Sequence, residues 1–371
     1  ENGYFFNLYM CNNPLCGWFG REKPKDDLCP FCGQPITEEN TREMIKPWGF
    51  APVNGKDIPE SEAISDMTYS GDPCYSATPS GDLSSTKYKN IKVANAEDQE
   101  IIVLNKGHDD EGFDVCTKCG AAQPHSDKTL RENLIGAPYL QSGRPAHCDH
   151  ANVDEGLFIG TSFLTDMFFL QIELDSEKIT DNDLILKSAS QTLAEALRLS
   201  ASRILDVEYN DICVGTRLRK SRSKRFADVY FYDSLSSGAG YATQIKDNLS
   251  EIFDDAITTL KTPGVRDLCN YWNQRIQYLF NKEIALDLLL WAMDGKLPDP
   301  LSEAEISAIC TPLLSILGSE TDKKISVHDG ALYVDGNRHG IVSGIAKCDD
   351  GDFSDVDIEY SLPSVVETLI F

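Results

Sequence analysis

The sequence predicts an α+β / α/β protein: a small cysteine-rich ribbon first, then a mixed sheet with packed helices, then a β-containing C-terminal appendage. Three observations carry this expectation. Cysteines recur in closely spaced pairs within the first 150 residues. From about residue 157 to 293, strand-like apolar runs alternate with segments whose apolar residues recur every three to four positions. After residue 300 the chain becomes more acidic and strand-rich.

The cysteine spacing sets the chemistry of the N-terminal half. Four residues separate Cys11 from Cys16, and Cys29 and Cys32 follow twelve residues later, with Gly33 directly behind them. A second pair, Cys116 and Cys119, is followed by Gly120, and twenty-eight residues then separate Cys119 from Cys148 in His147-Cys-Asp-His150. Two thiolates separated by two residues can reach one metal ion from a tight turn, and a following glycine permits the positive φ that the turn needs. Cys11, Cys16, Cys29 and Cys32 therefore read as a four-thiolate zinc ribbon. Cys116, Cys119 and Cys148 read as a second zinc site with one histidine, and His150 is preferred to His147 because it stands beyond Cys148 in a compact Cys-x-His unit. Two structural zinc ions are expected, because both ligand sets are closed and leave no open coordination position. Residues 1–45 hold few apolar side chains, so the metal would supply a missing core. Cys74, Cys213, Cys269, Cys310 and Cys348 stand alone. In a chain of 371 residues without a secretion signal, metal sites are expected rather than disulfides.

Charge and hydropathy exclude whole classes of function. No apolar run approaches the roughly 18 residues that span a bilayer, so a membrane protein is not expected. No basic-plus-apolar leader is present, which makes the expected location cytoplasmic. The chain starts at Glu1 without an initiator Met, which suggests a piece of something longer. The net charge is −25, distributed along the whole length. Such a surface repels phosphate backbones, so any nucleic-acid contact must use a local basic patch.

Four segments are expected: residues 1–45 as the ribbon, 46–115 as a loop- and strand-rich region, 116–297 as an α/β domain, and 298–371 as the acidic appendage. Leu157–Leu174 reads as two strands or one long bent strand. Asp181 precedes an amphipathic helix whose apolar stripe includes Leu186, Leu193, Leu197, Ala201 and Ile204. A short strand near Ile212–Val214, a basic loop and a strand at Asp228–Tyr232 follow. Next comes a helix with Ile245, Leu249, Ile252, Ala256 and Leu260 on one face, and then Ile284–Met293, a helix apolar nearly all round and so buried. In the appendage, Ser302–Leu317 reads as a helix, Ile325–Val334 as a hairpin turning at Asp329-Gly330, and Asp352–Leu362 as a strand.

Three stretches could carry function. Tyr230 to Tyr241 places a small-residue loop between a strand and a helix start, where Gly238, Gly240 and Tyr241 could cradle an anion or pack closely. It lacks both the Walker lysine and the glycine spacing of a dinucleotide fingerprint. Arg217, Arg219, Lys220, Arg222, Lys224 and Arg225 form a run with no acidic residue, which reads equally as a phosphate-binding patch or a solvated loop. Tyr271, Trp272, Asn273 and Arg275 could stack with a nucleic-acid strand or dock the following helix. No P-loop, motor box or nucleophile elbow is present in the sequence.

In order, these motifs resemble a family: the helicase-associated zinc-binding domain of Mrf-type superfamily 2 DNA helicases, found also in component B of the DISARM antiphage system and in Druantia-like defence helicases. The matching residues are Cys116/Cys119, Cys148/His150, Gly160 through Asp166, Tyr232-Asp233 through Tyr241, and Cys269 through Gln274 ahead of Ala285–Leu290. The resemblance covers about residues 110–295. One departure matters. Mrf-type members carry a zinc-binding four-cysteine cluster just before the Asn-Gln segment, whereas only Cys269 remains here, so no metal site is carried over. Ser237 also stands where many members have Gly.

The resemblance implies DNA processing next to an ATP-driven motor, with a helicase motor domain or subunit and DNA as partners. The expected role is a non-catalytic accessory module of a bacterial helicase or antiphage complex. The alternative is a protein-interaction scaffold that docks a partner subunit without touching DNA. A third reading is a magnesium nuclease, for which Asp166 and Asp233 are the carboxylates to test.

Overall fold

The structure is a computed structural model that describes residues 3–13, 16, 18–30, 32–49, 74–75, 83–107, 110–133, 148–221, 224–320, 324–349, 351–360, 365 and 369. It is the mixed α/β fold that the pattern predicts. Along the chain run β1 (Gly3–Met10), β2 (Phe19–Gly20), β3 (Thr41–Pro47), β4 (Cys74–Tyr75), β5 (Ser84–Ser85) and β6 (Ile91–Asn105). Then come β7 (Phe113–Cys116), β8 (Ala122–Pro124), β9 (Val153–Leu174) and α1 (Asp183–Leu205). The hairpin β10 (Ile212–Ser221) and β11 (Lys224–Asp233) leads to α2 (Tyr241–Gln244), α3 (Leu249–Lys261) and α4 (Lys282–Asp294). The C-terminal part holds α5 (Glu303–Glu320), β12 (Ile325–His328), β13 (Ala331–Val334), β14 (Asn337–Val342), β15 (Phe353–Ser354) and α6 (Asp355–Tyr360).

Two compact units share this chain. The first comprises Glu1–Gly81, Asn95–Met167 and Tyr232–Thr243; the second comprises Asp82–Ala94, Phe168–Phe231 and Gln244–Phe371. In the first unit, β1 and β3 pair antiparallel from Gly3↔Pro47 to Tyr9↔Thr41, and β3 runs parallel to β9 through Met44↔Phe158. The ribbon is therefore not a free-standing knot. Its Leu8, Phe19 and Met44 are buried against Ile102, Leu104 and Phe158 from the later strands. This shared core adds to whatever a metal contributes, because residues 1–45 do not have to supply an interior alone. Close approach is built in at Gly160, where a Cβ would stand 2.7 Å from both the Met44 sulfur and the Val103 carbonyl.

The second unit is organised around α1. Asn182, rather than Asp181, caps it, its side chain accepting from the Leu184 and Ile185 amides. Asp206 ends the helix in the left-handed region at φ 53°. Sixteen of its residues are buried, many of them Ala or Ser, and this lets β10, α3 and α4 pack around it. α4 starts on an Asn281 cap and stops at Gly295, φ 68°.

Three expectations need correction. The described residues of the basic run are not a loop: Arg217, Arg219 and Lys220 lie on β10, and Lys224 and Arg225 on its partner β11. The helix after the Gly-Ala-Gly loop is two helices, α2 and α3, rather than one. Asp352–Leu362 is not a strand: two residues pair as β15, and Asp355–Tyr360 is helical, so that Val356 and Ile358 reach the core. The Asp329-Gly330 hairpin is present, both residues at positive φ, and Asp335-Gly336 repeats the device between β13 and β14. This small sheet and α5 bury Cys310, Leu313, Leu317 and Leu332 together.

The appendage is tied down by main-chain bonds from Thr180 to Ile345 and from Lys347 to Lys178. There Asp287 of α4 packs against Gly344, where a Cβ would stand 2.1 Å from its carboxylate oxygen. Burial, then the neighbouring Asp355 and Glu283, push the Asp287 carboxyl up to about 7. A raised carboxyl favours the folded state only while protonated, so its contribution is fully present below the unfolded value near 3.8 and is lost as pH rises towards 7. Asp287→Asn is expected to flatten the fall in stability between pH 4 and 7 and to stabilise the protein at pH 8, as read by denaturant titration across pH.

Candidate metal centres and nucleic-acid surface

The two cysteine knuckles have the same backbone. The Gly33 amide donates to the Cys29 carbonyl and the Cys29 amide to that of Gln34; Gly120, Cys116 and Ala121 repeat both bonds. Gly33 and Gly120 sit at φ 75° and 76°, the turn that the spacing requires. In the first centre, Cys11 Sγ lies 3.4 Å from Cys32 Sγ and Cys16 Sγ lies 3.5 Å from Cys29 Sγ. In the second, Cys116 Sγ is 3.7 Å from Cys148 Sγ and Cys119 Sγ is 3.6 Å from His150 Nδ1. Within each set, all four ligand atoms lie within 4.8 Å of one another. Tetrahedral zinc with bonds of about 2.3 Å separates its sulfurs by roughly 3.8 Å, so both clusters fit that ion. His147 lies outside the described residues, whereas His150 faces the thiols at a left-handed φ of 46°.

Electrostatics agree with the geometry. Burial, and then crowding by Cys32 and Cys29, push the Cys11 thiol up to about 12, against the Asn13 amide. The Cys29 contact and burial drive Cys16 upward as well. Cys119 rises to about 12, mainly through burial. Burial also works against the Cys116 thiolate, but His150 and the Cys119 and Lys118 amides outweigh it and bring that thiol down to about 7. Such packed thiols resist ionising together unless a cation sits between them, and zinc binding supplies that cation while releasing protons.

The structure distributes the six basic residues of the hairpin unevenly. Arg217 is buried. Arg219 donates at 2.9 Å to Asp228, a carboxylate with no exposed surface, and covers the Phe226 ring at 4.5 Å. Lys224 pairs with Glu173, and Arg225 with both Asp181 and Asp183. Lys220 is exposed, and Arg222 lies outside the described residues.

Asp233 organises the small-residue loop, a role that the sequence did not reveal. Fully buried at the end of β11, its carboxylate accepts from the amides of Ala239 at 2.6 Å, Tyr241 at 3.2 Å and Ala242 at 2.7 Å. Of the residues read as an anion cradle, Tyr241 thus already donates its amide to an internal anion. Ser237 donates to the Leu164 carbonyl and Gly238 to that of Leu235. Gly238, at φ 72°, approaches Asp166 so closely that a Cβ would stand 2.3 Å from its carboxylate oxygen. Gly240 is also left-handed at φ 79°, and Tyr241 is half-buried at the start of α2. Among the described residues, neither Asp166 nor Asp233 joins a cluster of three or more metal-ligating side chains.

In the aromatic–amide segment the side chains of Trp272 and Arg275 lie outside the described residues, and Asn270 and Asn273 make internal contacts. Tyr271–Leu279 is a 3₁₀ helix in which buried Asn273 donates to the Leu268 carbonyl and accepts from the Asn270 amide. Asn270 also donates to the Tyr209 hydroxyl at 3.2 Å. Tyr209 donates in turn to buried Glu195, and Arg198 lies 4.0 Å over its ring. Tyr271 is exposed.

The ends of that buried network coincide with a family match. Residues 193–271 match the MrfA Zn-binding domain, so the helicase-associated zinc-binding family that the motif order resembles is found by direct comparison. Druantia protein DruE of Escherichia coli (strain UMEA 4076-1) is 30% identical over 297 residues, which cover 74% of this chain and 16% of that protein. The chain thus spans about a sixth of the length of that relative. Crystal structures of the DUF1998 helicase MrfA, bound to DNA and bound to DNA with AMPPNP, align at 14% identity with TM-scores of 0.29 and 0.24. These alignments cover 52% and 49% of this chain and 22% and 20% of those chains. The cysteines inside 193–271 are Cys213 and Cys269, and neither belongs to a metal-ligating cluster among the described residues. Both candidate zinc centres lie N-terminal to the match.

Elemental analysis of purified protein is expected to give two zinc ions per chain, falling to one in Cys29→Ser and to one in Cys116→Ser. Asp233→Ala leaves three amides without their acceptor and is expected to cost about 3 kcal/mol or more of stability. Hydrogen exchange at Ala239 and Ala242 should accelerate with it.

Proposed function

We propose that the chain is a non-catalytic accessory module of a helicase-based defence or repair machine, stabilised by two structural zinc ions and engaging DNA beside the motor. The observation that carries this reading is the 30% identity to Druantia protein DruE over 297 residues, joined to the MrfA Zn-binding match at 193–271. The closed ligand sets support a structural role for the metal, since neither presents an open position to a substrate. Among the described residues, no helix is long and apolar enough to cross a membrane.

In this reading the β10–β11 hairpin meets the phosphate backbone. Its contact set is Lys220, Lys224 and Arg225, to which the sequence adds Arg222. Lys220 is exposed, and the partners of Lys224 and Arg225 are surface carboxylates that a phosphate can replace. Arg217 and Arg219 instead brace the hairpin, because their surroundings are buried. The Gly238–Tyr241 loop acts through its shape, fixed by Asp233.

A second reading, a scaffold that docks a partner subunit without DNA, draws on that same pairing of cations and on the net charge of −25. A mixing experiment separates the two: retention of DNA by the chain alone, against co-purification with a helicase motor in the absence of DNA. For the leading reading, the Lys220→Glu/Lys224→Glu/Arg225→Glu triple variant should weaken DNA binding at least tenfold at low salt. It should also lower the slope of log K against log salt by about 2–3. Unchanged affinity and slope would overturn the DNA-engaging role of the hairpin.

A further inference from the structure

A groove in the first unit lies beside the ribbon, with a volume of about 980 Å³. We infer that this groove, lined by Phe5, Tyr9, Trp18, Arg21, Lys23 and Lys25, binds a single strand of nucleic acid by stacking its bases and neutralising its phosphates. The inference deepens the DNA-engaging reading and rests on it only for the class of ligand. It places a second contact on the ribbon, apart from the hairpin.

β1 builds one wall. Leu8 is buried, with Phe6 and Met10 packed partly against its cluster, and Phe5, Phe6 and Tyr9 line the groove. Phe5 remains 39% exposed. An aromatic ring held in water on a rigid strand forgoes burial, and a stacking partner restores it. β2 pairs with the end of β1 through Tyr9↔Gly20 and delivers Arg21, Lys23 and Lys25 directly after it. Arg21 is fixed in place: its guanidinium lies 4.1 Å over Phe6 and donates to Glu100 and Ser162. Lys25 is exposed, and Lys23 pairs with Asp27 four residues on. Trp18 is buried, and its indole N–H finds no acceptor among the described residues.

Charge and shape select the occupant. Three cations against two carboxylates line the groove, in a chain whose net charge is −25. With Arg21 held by Glu100 and Lys23 by Asp27, exposed Lys25 is the lining cation most open to a phosphate, in a chain that as a whole repels one. Bases offer a stacking face only when unpaired, so aromatic walls select a single strand over a duplex. The volume stands at the upper end of the roughly 300–1,000 Å³ range of small-ligand pockets, room for more than one base. At its far side the groove reaches Leu164, half-exposed, whose carbonyl holds the Ser237 amide at 2.7 Å. A strand lying in the groove would thus run up to the loop that Asp233 holds rigid, with Leu235 exposed beside it.

Fluorescence anisotropy with the full chain tests this, using labelled oligo-dT, oligo-U, a duplex of equal length and an acidic peptide. The wild-type chain should favour the single strands, and the dT and U arms tell which sugar is accepted. Phe5→Ala should weaken single-strand binding about tenfold. Phe5→Leu should do the same while keeping the apolar bulk, and Phe5→Trp should retain affinity. Lys23→Glu/Lys25→Glu should weaken single-strand binding at least fivefold and lower its salt slope, with zinc content and circular dichroism unchanged. Normal single-strand affinity in the Phe5 and lysine variants, or preference for the peptide, overturns the groove. If binding survives these variants but falls in the hairpin triple variant, the groove fails and the hairpin contact stands; the reverse pattern upholds the groove and removes the hairpin.

Discussion

Four sulfur atoms gathered within 4.8 Å cannot all carry charge unless a cation stands among them, and the N-terminal half of this protein is arranged around that constraint. The knuckles at Cys29 and Cys116 share one backbone pattern because only a tight turn with a left-handed glycine directs two thiols at one point. Fixing those turns fixes the ends of the neighbouring strands: Cys11 directly follows β1, and Cys116 is the last residue of β7. Zinc and the shared core of Leu8, Met44 and Phe158 are complementary, since one organises loops that have little to bury and the other anchors the strands.

Much of this was legible in the residues. The cysteine spacing groups the same side chains whose ligand atoms lie within 4.8 Å of one another, because metal geometry leaves few permitted spacings. The stripe through Leu186, Leu193 and Leu197 found the long central helix, and Asp329-Gly330 found its hairpin, because each pattern has a local cause. The failures are equally physical. Arg217 and Arg219 alternate as strand residues do, but six cations in nine positions read as a loop, because nothing local shows that Asp228 neutralises one of them from inside. Val356 and Ile358, two apart, imitate a strand, although a single turn of helix brings both to the core. The function of Asp233 was hidden, since nothing local shows that one carboxylate will accept three amides from the loop that follows it.

The family match and the metal centres occupy different parts of the chain. The segment that matches a zinc-binding domain, 193–271, holds only Cys213 and Cys269, whereas the eight clustered ligands precede it. Its ends are joined by a partly buried polar network, Glu195 and Arg198 with Tyr209 and Asn270. A satisfied network of this kind specifies a packing arrangement as a bound ion would, at the cost of desolvating its members.

The way in which the first unit is assembled from separated stretches has a consequence for biosynthesis. Its last stretch ends at Thr243, and β9, which crosses from one unit to the other, is 22 residues long. The first knuckle, complete at Cys32, leaves the ribosome more than a hundred residues before Val153 begins that strand. Those thiols therefore emerge long before the strand that closes their sheet, and a metal ion captured early would shield them from oxidation during that interval.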